Sequence, residues 1–448
     1  MLIWKMLQFS MLTKLNMKNL LIALLLLFPF YAESQQQLRL IDAIDTALNN
    51  NFSIRIARNN TEISKISNTF GYAGGLPSVN INATDNNQVY NLDQKLNSGV
   101  DISKSGVSSS SFNAGLSANM MLFNGFKIIA TKEKLNLLQS QSLLQLNLQI
   151  QNTIAEVMLN YYRILRQQAY LKIIESSSAV SQKKVEIVNE LYNVGMANEG
   201  DRLQAEIDLS MAQQNIIGQQ LMVDQEKINL QQLIGYKTFL PMKISDTIVI
   251  DQSLRRDSIM LFLQNNPQYL ATVQQVKINE QIVKELRAQR YPSLRLNTGY
   301  SFVYNSSSAG FNLFTQSYGP FLGGSLQIPV FNGTIYKTQQ RVANYQVKNA
   351  NLLQESQLIE LQADAAKTWQ WFESIQQQMD EQRTSFANAQ KLVAIIMQRY
   401  QLNQATILDV KAAQDSYEKA GYLLINLMFG AKAAEIELKR LVSQLGNE

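Results

Sequence analysis

The sequence predicts an α+β membrane protein in which strands of a shared β-barrel continue directly into very long helices. The first observation is a stretch over 111–125 that alternates apolar and polar residues with the period of a strand and ends in Phe123-Asn124-Gly125. It passes at once into a helical pattern of about 65 residues without proline. The second is that the same junction recurs at Phe331-Asn332-Gly333, which indicates a duplicated unit. The third is that the four predicted strands share one apolar face but are too few to close a barrel, which takes about eight.

The composition excludes several function classes. The 448 residues include no His and no Cys, which removes the usual zinc ligands, the commonest general base, a thiol nucleophile and any disulfide. Lys and Arg, 40 in all against 35 Asp and Glu, are scattered singly, unlike the clustered cations that follow nucleic-acid phosphates. No convergent set of carboxylates indicates an active site. We therefore predict no enzymatic activity, no cofactor, no metal and no nucleic-acid partner.

Residues 1–34 are predicted to be an export signal. Two lysines precede an apolar core over 20–28, which Pro29 ends. A membrane anchor is the less favoured alternative, because this core is too short to cross a hydrocarbon layer of about 30 Å. The mature chain is expected to begin near Gln35 and to lie outside the cytoplasm.

Two structural repeats follow the signal, and both have the same order of elements. The repeats, 35–240 and 253–448, are joined by a linker over 241–252, and each contains a helix, a strand pair, a long helix and a returning helix. At about 1.5 Å per residue, each long helix measures roughly 100 Å. A polar loop over 85–110 is expected between the first two strands. The predicted bounds in the first repeat are 78–84 and 111–123 for the strands, 126–193 for the long helix and 199–234 for the returning helix; those in the second are 293–304 and 318–331, then 334–400 and 406–445.

The apolar face of the strands is predicted to contact lipid. Unpaired strand edges are not viable in a bilayer, so several chains must share one closed barrel whose opposite face, rich in Asn, Ser and Gly, lines water. A soluble β-sandwich with helical stalks is less favoured, because no further strands exist to build a second sheet. Aromatic residues near the strand ends suit the interfacial girdles of a barrel: Phe123, Tyr291, Tyr304, Tyr318 and Phe331. The predicted lipid-facing residues are Phe112, Ala114, Leu116, Ala118, Leu294, Leu296, Tyr300, Leu326 and Ile328.

Short motifs occur at equivalent places in the two repeats. Leu76-Pro77-Ser78 and Tyr291-Pro292-Ser293 precede the first strand of each pair, and Phe331-Asn332-Gly333 ends the last strand. The turns that follow the two long helices begin at Tyr192 and Tyr400, which lie 208 positions apart. In this order and duplicated, the motifs resemble the TolC-like outer-membrane efflux protein family, the outer membrane factors, over essentially the whole mature chain.

The resemblance implies a trimer with a 12-stranded β-barrel, four strands from each chain, in the outer membrane of a Gram-negative bacterium. A long periplasmic α-helical coiled-coil barrel would continue it. The implied function is a passive exit duct for small molecules, opened by a periplasmic adaptor (membrane fusion protein) that belongs to an inner-membrane pump. The implied partners are a homotrimer, that adaptor and pump, and outer-membrane lipid. The same fold serves type I protein secretion, which stays open as an alternative, and an exported coiled-coil adhesin or stalk is a further one.

The resemblance also implies an aperture at the periplasmic helix tips. Asp409 corresponds to a ring of aspartates, and Asp201 and Tyr400 correspond to the partners of a closing hydrogen bond. Ala412 and Ala405 stand where the family has a second ring aspartate and a bracing arginine. Both aspartates lie near a helix start, where capping and the helix dipole are an alternative role, and Tyr400 ends a heptad pattern that favours packing. The tip residues expected to dock the adaptor are Val194, Gly195, Met196, Ala197, Asn403, Gln404, Ala405 and Thr406.

Overall fold

The computed structural model describes residues 36–239 and 241–446, so the predicted export signal lies outside the described residues. The described chain has a four-stranded sheet, two long helices with their returning helices, and a layer of short elements about halfway along them. The helices are α1 (Leu40–Asn50), α2 (Phe52–Ser67), α3 (Lys127–Asn193), α4 (Glu199–Leu233), α5 (Arg256–Phe262), α6 (Pro267–Ala288), α7 (Ile335–Gln401) and α8 (Ile407–Leu441), with one 3₁₀ turn, Leu263–Asn265. The strands are β1 (Gln36–Gln37), β2 (Ser78–Lys95), β3 (Asp101–Asn124), β4 (Met242–Lys243), β5 (Ser293–Ser307) and β6 (Phe314–Gln327).

The four-stranded sheet is antiparallel throughout and has the order β2-β3-β5-β6. The two central strands come from different repeats, and β2 and β6 form its edges. Leu116 lies opposite Ile81 on one side and Tyr300 on the other. Because directly opposite residues in an antiparallel sheet point to the same face, the apolar positions of all four strands are aligned.

The predicted polar loop over 85–110 was wrong. β2 continues to Lys95 and β3 begins at Asp101, so most of this segment is an extension of the first strand pair. Beyond the Val89–Ser108 pair the strand ladder is confined to this hairpin, because β3 first pairs with β5 at Ser109. At Ser108 itself, the carbonyl oxygen still accepts a hydrogen bond from the N–H of Ser308 at 2.9 Å. Here polar residues occupy both faces, so the alternation that marks a strand in the sequence is lost although the backbone ladder continues.

The fourth strand also differs from its predicted bounds of 318–331. It begins earlier, at Phe314, and ends at Gln327, so the predicted lipid-facing Ile328 and the predicted girdle residue Phe331 lie beyond the strand. Pro329 is two residues past its end and has no N–H to donate to a ladder. The apolar alternation continues past this proline in the sequence, which is why the strand was predicted too long.

The two strand-to-helix junctions have the same backbone. Gly125 and Phe126 are both left-handed, with φ of +67° and +68°, and Gly333 and Thr334 repeat this with +65° and +67°. A Cβ on Gly125 would lie 2.5 Å from the carbonyl oxygen of Ala288, so this glycine is required by close packing as well as by conformation. The duplicated Asn-Gly in the sequence therefore encodes a fixed bend from strand into helix.

The long helices α3 and α7 have 67 residues each, and their ends lie within one residue of the predicted bounds. α3 packs against α4, α7 packs against α8, and α3 also packs against α8, which joins the two repeats. Three hydrophobic clusters hold these helices together, two near the short-element layer and one at the helix tips. Over the described residues, no helix is both long enough and apolar enough to cross a membrane.

Candidate aperture at the helix tips

The turn between α3 and α4 closes with a left-handed glycine. The N–H of Gly195 donates to the carbonyl oxygen of Tyr192 at 3.0 Å, and the N–H of Met196 donates to that of Leu191 at 2.7 Å. These two bonds satisfy carbonyl groups that the end of α3 leaves free. Gly195 has a φ of +76°, and no atom lies within 4 Å of the place where a Cβ would stand. Backbone conformation alone therefore favours glycine at this turn.

The turn between α7 and α8 repeats these bonds 208 positions later. The N–H of Asn403 donates to the carbonyl oxygen of Tyr400 at 3.1 Å, and the N–H of Gln404 donates to that of Arg399 at 2.8 Å. Asn403 is left-handed, with a φ of +55°. Asparagine tolerates this conformation better than other residues with a Cβ, so its presence in place of glycine leaves the turn intact.

Asp409 completes a capping box at the start of α8. The hydroxyl of Thr406 accepts a hydrogen bond from the N–H of Asp409 at 3.2 Å, and Oδ2 of Asp409 accepts from the N–H and hydroxyl of Thr406, both at 2.8 Å. The hydrogen bonds from the backbone and side chain of Thr406 lower the pKa of Asp409, and the charge of Arg399 acts in the same direction. The carboxylate is exposed, and Oδ1 has no hydrogen-bond partner within the described chain. One oxygen therefore caps the helix while the other stays available to an ion.

Asp201 and Tyr400 are brought near each other, but they are not hydrogen-bonded in the described part of the chain. Asn198 caps α4, where its side-chain oxygen accepts from the N–H of Asp201 at 2.9 Å. Tyr400 is only 6 % exposed. Burial raises the pKa of Tyr400 to about 12, and the negative charge of Asp201 contributes in the same direction. The role of this pair in closing an aperture stays a prediction.

The predicted docking residues form two exposed loops beside a common core. Ala197 and Ala405 are half-buried and pack against the tip cluster, whereas the other six are exposed. Val194 and Met196 are the large apolar residues among them. The tip cluster consists of Ile187, Val188, Ala205, Val393, Met397, Tyr400, Val410 and Ala413.

Sequence reasoning missed a buried ion network next to this cluster. Lys184 is fully buried, and its Nζ lies 2.6 Å from Oδ2 of Asp208. Oδ1 of Asp208 accepts from Nζ of Lys411 at 3.1 Å and from the amide of Gln204 at 2.9 Å. Burial works to raise the pKa of Asp208, but the hydrogen bond and charge of Lys184 and the hydrogen bonds from Lys411 and Gln204 outweigh it, so the pKa is lowered. The available signal was that Lys184 occupies a core position of the helical repeat, three residues after buried Ser181 and four before buried Val188.

The predicted lipid-facing residues lie together on one face of the sheet, apart from Ile328. Leu116 is opposite Tyr300, and Leu294 is opposite Leu326. The remaining members follow at alternate positions of the same strands, so eight of the nine share this face. Contact of that face with lipid stays a prediction.

Comparison with known families identifies the chain. The model of the outer membrane efflux protein family matches residues 43–236 and 259–444, which lie one in each predicted repeat. The chain belongs to the outer membrane efflux protein family. The resemblance deduced from the motifs is thus confirmed, and so is the location in the outer membrane with a periplasmic helical extension. The sequence matches no curated protein.

Solved outer-membrane proteins and channels have the same fold. VceC from Vibrio cholerae is 17 % identical, with a TM-score of 0.71 over 90 % of this chain and 96 % of that one. The CmeC outer membrane channel of Campylobacter jejuni is 16 % identical, with a TM-score of 0.73 over 90 % of this chain and 85 % of that one. The MtrE channel of Neisseria gonorrhoeae, solved in an open state, is 19 % identical, with a TM-score of 0.67 over 90 % and 89 %. The predicted fold class, four strands per chain with long helices beneath them, is confirmed.

Proposed function

We propose that three copies of this chain form a passive outer-membrane exit duct for small molecules. A periplasmic adaptor opens the duct at the helix tips, and an inner-membrane pump supplies the solute and the energy. The observation that carries the proposal is the sheet itself: four strands with an apolar face, open edges at β2 and β6, and helices of 67 residues leading away from one end.

The open edges support a shared barrel. An unpaired strand edge in lipid leaves backbone N–H and C=O groups without partners, at a cost of several kcal/mol each. Pairing β6 of one copy with β2 of the next removes every such edge when the ring closes. Three copies give 12 strands, which is within the range of outer-membrane barrels.

The opposite sheet face supports a water-filled passage. Asn113, Gly115, Ser117 and Asn119 alternate with the apolar residues of β3. Asn297, Gly299 and Ser301 lie opposite three of these positions on β5, so the polar face is continuous across the central strands. Such a face suits hydrated solutes and does not suit a dry core.

The exposed tips support docking of an adaptor. Each turn presents a short loop held by two backbone hydrogen bonds, and the first places the apolar Val194 and Met196 in solvent. Methionine adapts its shape to different partners, which suits a protein-binding surface.

The deciding experiment combines planar-bilayer conductance of the purified protein with a measurement of its oligomer mass. We expect discrete channel openings from a species of three chains. A soluble species that does not conduct would contradict the proposal, because the apolar strand face would then be buried against protein.

The transported class is tested in cells that lack the gene. Loss of the duct should raise accumulation of a fluorescent small-molecule dye, and restoring the gene should reverse this. Unchanged dye accumulation together with loss of a secreted polypeptide would overturn the small-molecule assignment in favour of type I protein secretion.

A further inference from the structure

A cavity of about 450 Å³ lies where the central strands β3 and β5 meet the helices α3 and α6. Both apolar and charged side chains form its wall. Phe126 and Tyr291 lie at the end nearest the sheet, and Ile129 follows one turn down α3. Arg287 lies in the last turn of α6 beside the strand-to-helix junction, Lys284 lies one turn further from the sheet, and Glu133 lies one turn below Ile129 on α3.

The cavity opens on the side of the predicted lipid-facing residues. Phe123 pairs with Leu294, which shares a face with Leu296. The ring of Phe123 contacts that of Phe126, with centroids 5.3 Å apart. Phe126 lines the cavity and is 66 % exposed, so the cavity continues the apolar sheet face downward.

A neighbouring copy of the chain would not cover this cavity. Below the sheet, α3 packs against both α2 and α6, and α6 packs against α7. The outer helices of this layer are therefore α2 and α7, in line with the edge strands β2 and β6. A second copy meets those edges, whereas the cavity lies between the two central helices.

The two cations of the cavity are not neutralised within the described chain. Neither Lys284 nor Arg287 forms an ion pair there, although the nearby Lys134 and Glu285 pair with each other at 2.7 Å. Glu133 accepts a hydrogen bond from the side chain of Asn136 at 3.1 Å and leaves the lining with one net positive charge. Arg287 lies in the last turn of α6, where it also stabilises the helix dipole.

We propose that this cavity binds a glycerophospholipid of the periplasmic leaflet of the outer membrane. The phosphate is held by Lys284 and Arg287, and the acyl chains run upward past Ile129 and Phe126 along the apolar sheet face. The net positive charge selects an anionic headgroup over a zwitterionic one, by roughly fivefold if about one basic residue's worth of attraction is unopposed. The assignment rests on the proposed function, since it needs the sheet to span the outer membrane.

The test uses tryptophan fluorescence and lipids brominated in the acyl chains, which quench a tryptophan that they touch. The full protein carrying Ile129→Trp is reconstituted in vesicles with brominated phosphatidylglycerol or, separately, brominated phosphatidylcholine. Of the three native tryptophans, Trp4 belongs to the predicted export signal and is absent from the mature chain. Trp369 and Trp371 lie more than 30 residues down α7, roughly 50 Å below the sheet, and give a constant background. We expect roughly fivefold more effective quenching by phosphatidylglycerol.

Charge variants identify the residues responsible. K284E/R287E in the I129W background should abolish the preference, and the milder K284Q/R287Q should weaken it, which covers a failure of the first variant to assemble. The matched control is K337E/R341E, which reverses two exposed cations near the start of α7 and should leave the preference unchanged. Equal quenching by the two lipids, or the same loss in the control, would overturn the site and leave only general contact with the bilayer.

Leu116→Trp separates this inference from the proposed function. Its side chain lies on the sheet face above the cavity, so both brominated lipids should quench it equally. No quenching at position 116 would contradict the membrane-spanning sheet itself. Quenching at 116 without a lipid preference at 129 would contradict the cavity alone.

Discussion

The turns at the tips of the two repeats share one backbone but differ in what surrounds them. Tyr192 and Tyr400 occupy equivalent positions, yet Tyr192 is 42 % exposed and Tyr400 is 6 % exposed. Tyr192 lies beside the guanidinium of Arg202, 5.9 Å from ring centroid to cation, whereas Tyr400 is part of the tip cluster. The duplicated sequence therefore sets the local conformation, and contact between the repeats decides which tyrosine becomes core.

The two aspartates differ in the same way. Asp409 is held by its own N-cap, Thr406, through a capping box, while Asn198 caps α4 without such a reciprocal bond to Asp201 within the described residues. Asp201 is thus left to act on Tyr400 of the other repeat. The carboxylate of Asp409 is thus engaged by the capping box of its own helix, whereas that of Asp201 is free of such a box and can act on the other repeat.

The ion network shows the largest divergence. Lys184 and Asp208 of the first repeat correspond to Leu392 and Ser416 of the second, 208 positions later. The first pair is buried between helices and the second pair is exposed. At these equivalent positions, therefore, only the first repeat carries a buried ion pair, and removing one partner there leaves the other charge buried and uncompensated.

The largest expected effect is that of Asp208→Asn. It leaves the fully buried Lys184 without its counter-charge, and breaking a buried ion pair in this way costs roughly 3 to 5 kcal/mol. Hydrogen exchange of the tip amides should show the loss. The matched control, Ser416→Ala, should stay within about 0.5 kcal/mol of the parent. Equal effects at the two positions would remove the contrast between the repeats.

The same network predicts a pH dependence. The pKa of Asp208 is lowered in the folded protein, so its contribution to stability is present above its unfolded pKa of about 4 and is lost as pH falls through the folded value. Tip protection against hydrogen exchange should therefore drop in acid, below about pH 4. The drop should be smaller in Asp208→Asn, and an unchanged acid profile in that variant would refute the assignment.

The next largest loss of stability is expected for Tyr400→Ala, and Tyr192→Ala is its matched control. Removing a buried aromatic side chain costs about 3 kcal/mol, because it leaves a cavity in the tip cluster. Loss of the exposed ring should cost no more than about 0.5 kcal/mol. Local opening of residues 393–413 by hydrogen exchange measures both, and a larger effect at Tyr192 would contradict the burial difference.

A smaller effect on stability is expected from substitutions at the two left-handed turn positions, Gly195 and Asn403. Gly195→Ala should cost about 1 kcal/mol, since a Cβ disfavours this conformation even with free space around it. Asn403→Gly should be neutral or stabilising by a few tenths of a kcal/mol. Thermal unfolding of the two purified variants provides the comparison, and destabilisation by Asn403→Gly would show that the Asn403 side chain has contacts of its own.

Asp409→Ala should have the most local effect. It removes the exposed carboxylate of the capping box, so we expect altered cation block of single-channel current with little change in the open conductance. Asp201→Ala is the companion variant and should change the block less. Block and conductance that are both unchanged in Asp409→Ala would rule out its assignment to an aperture ring.

The sequence predicted the elements that depend on regular periods. The ends of α3 and α7 lie within one residue of expectation, because a helical pattern that runs for 67 residues without proline leaves few alternatives. The apolar face of the strands could be predicted from the alternation of apolar and polar residues alone. The family could be inferred because short motifs occur in the same order in both repeats.

The remainder depended on pairing across the fold. The extended strands over 85–110 were missed because neither face of a solvated hairpin needs apolar residues. The partnership of Lys184 with Asp208 joins different helices, and no local rule specifies it. The burial of Tyr400 but not Tyr192 likewise depends on packing between the repeats.

The hairpin that rises beyond the sheet has a practical consequence. Val89 to Lys95 pair only with the start of β3, and the turn at Asn97, Ser98 and Gly99 is exposed. In an outer-membrane duct whose helices enter the periplasm, this ribbon faces the outside of the cell. Exposed loop tips of this kind tolerate inserted residues, because few packing contacts or hydrogen bonds are lost when the loop is lengthened. With three chains in the proposed duct, a foreign peptide placed between Asn97 and Ser98 would be displayed to antibodies in three copies around the mouth of each channel.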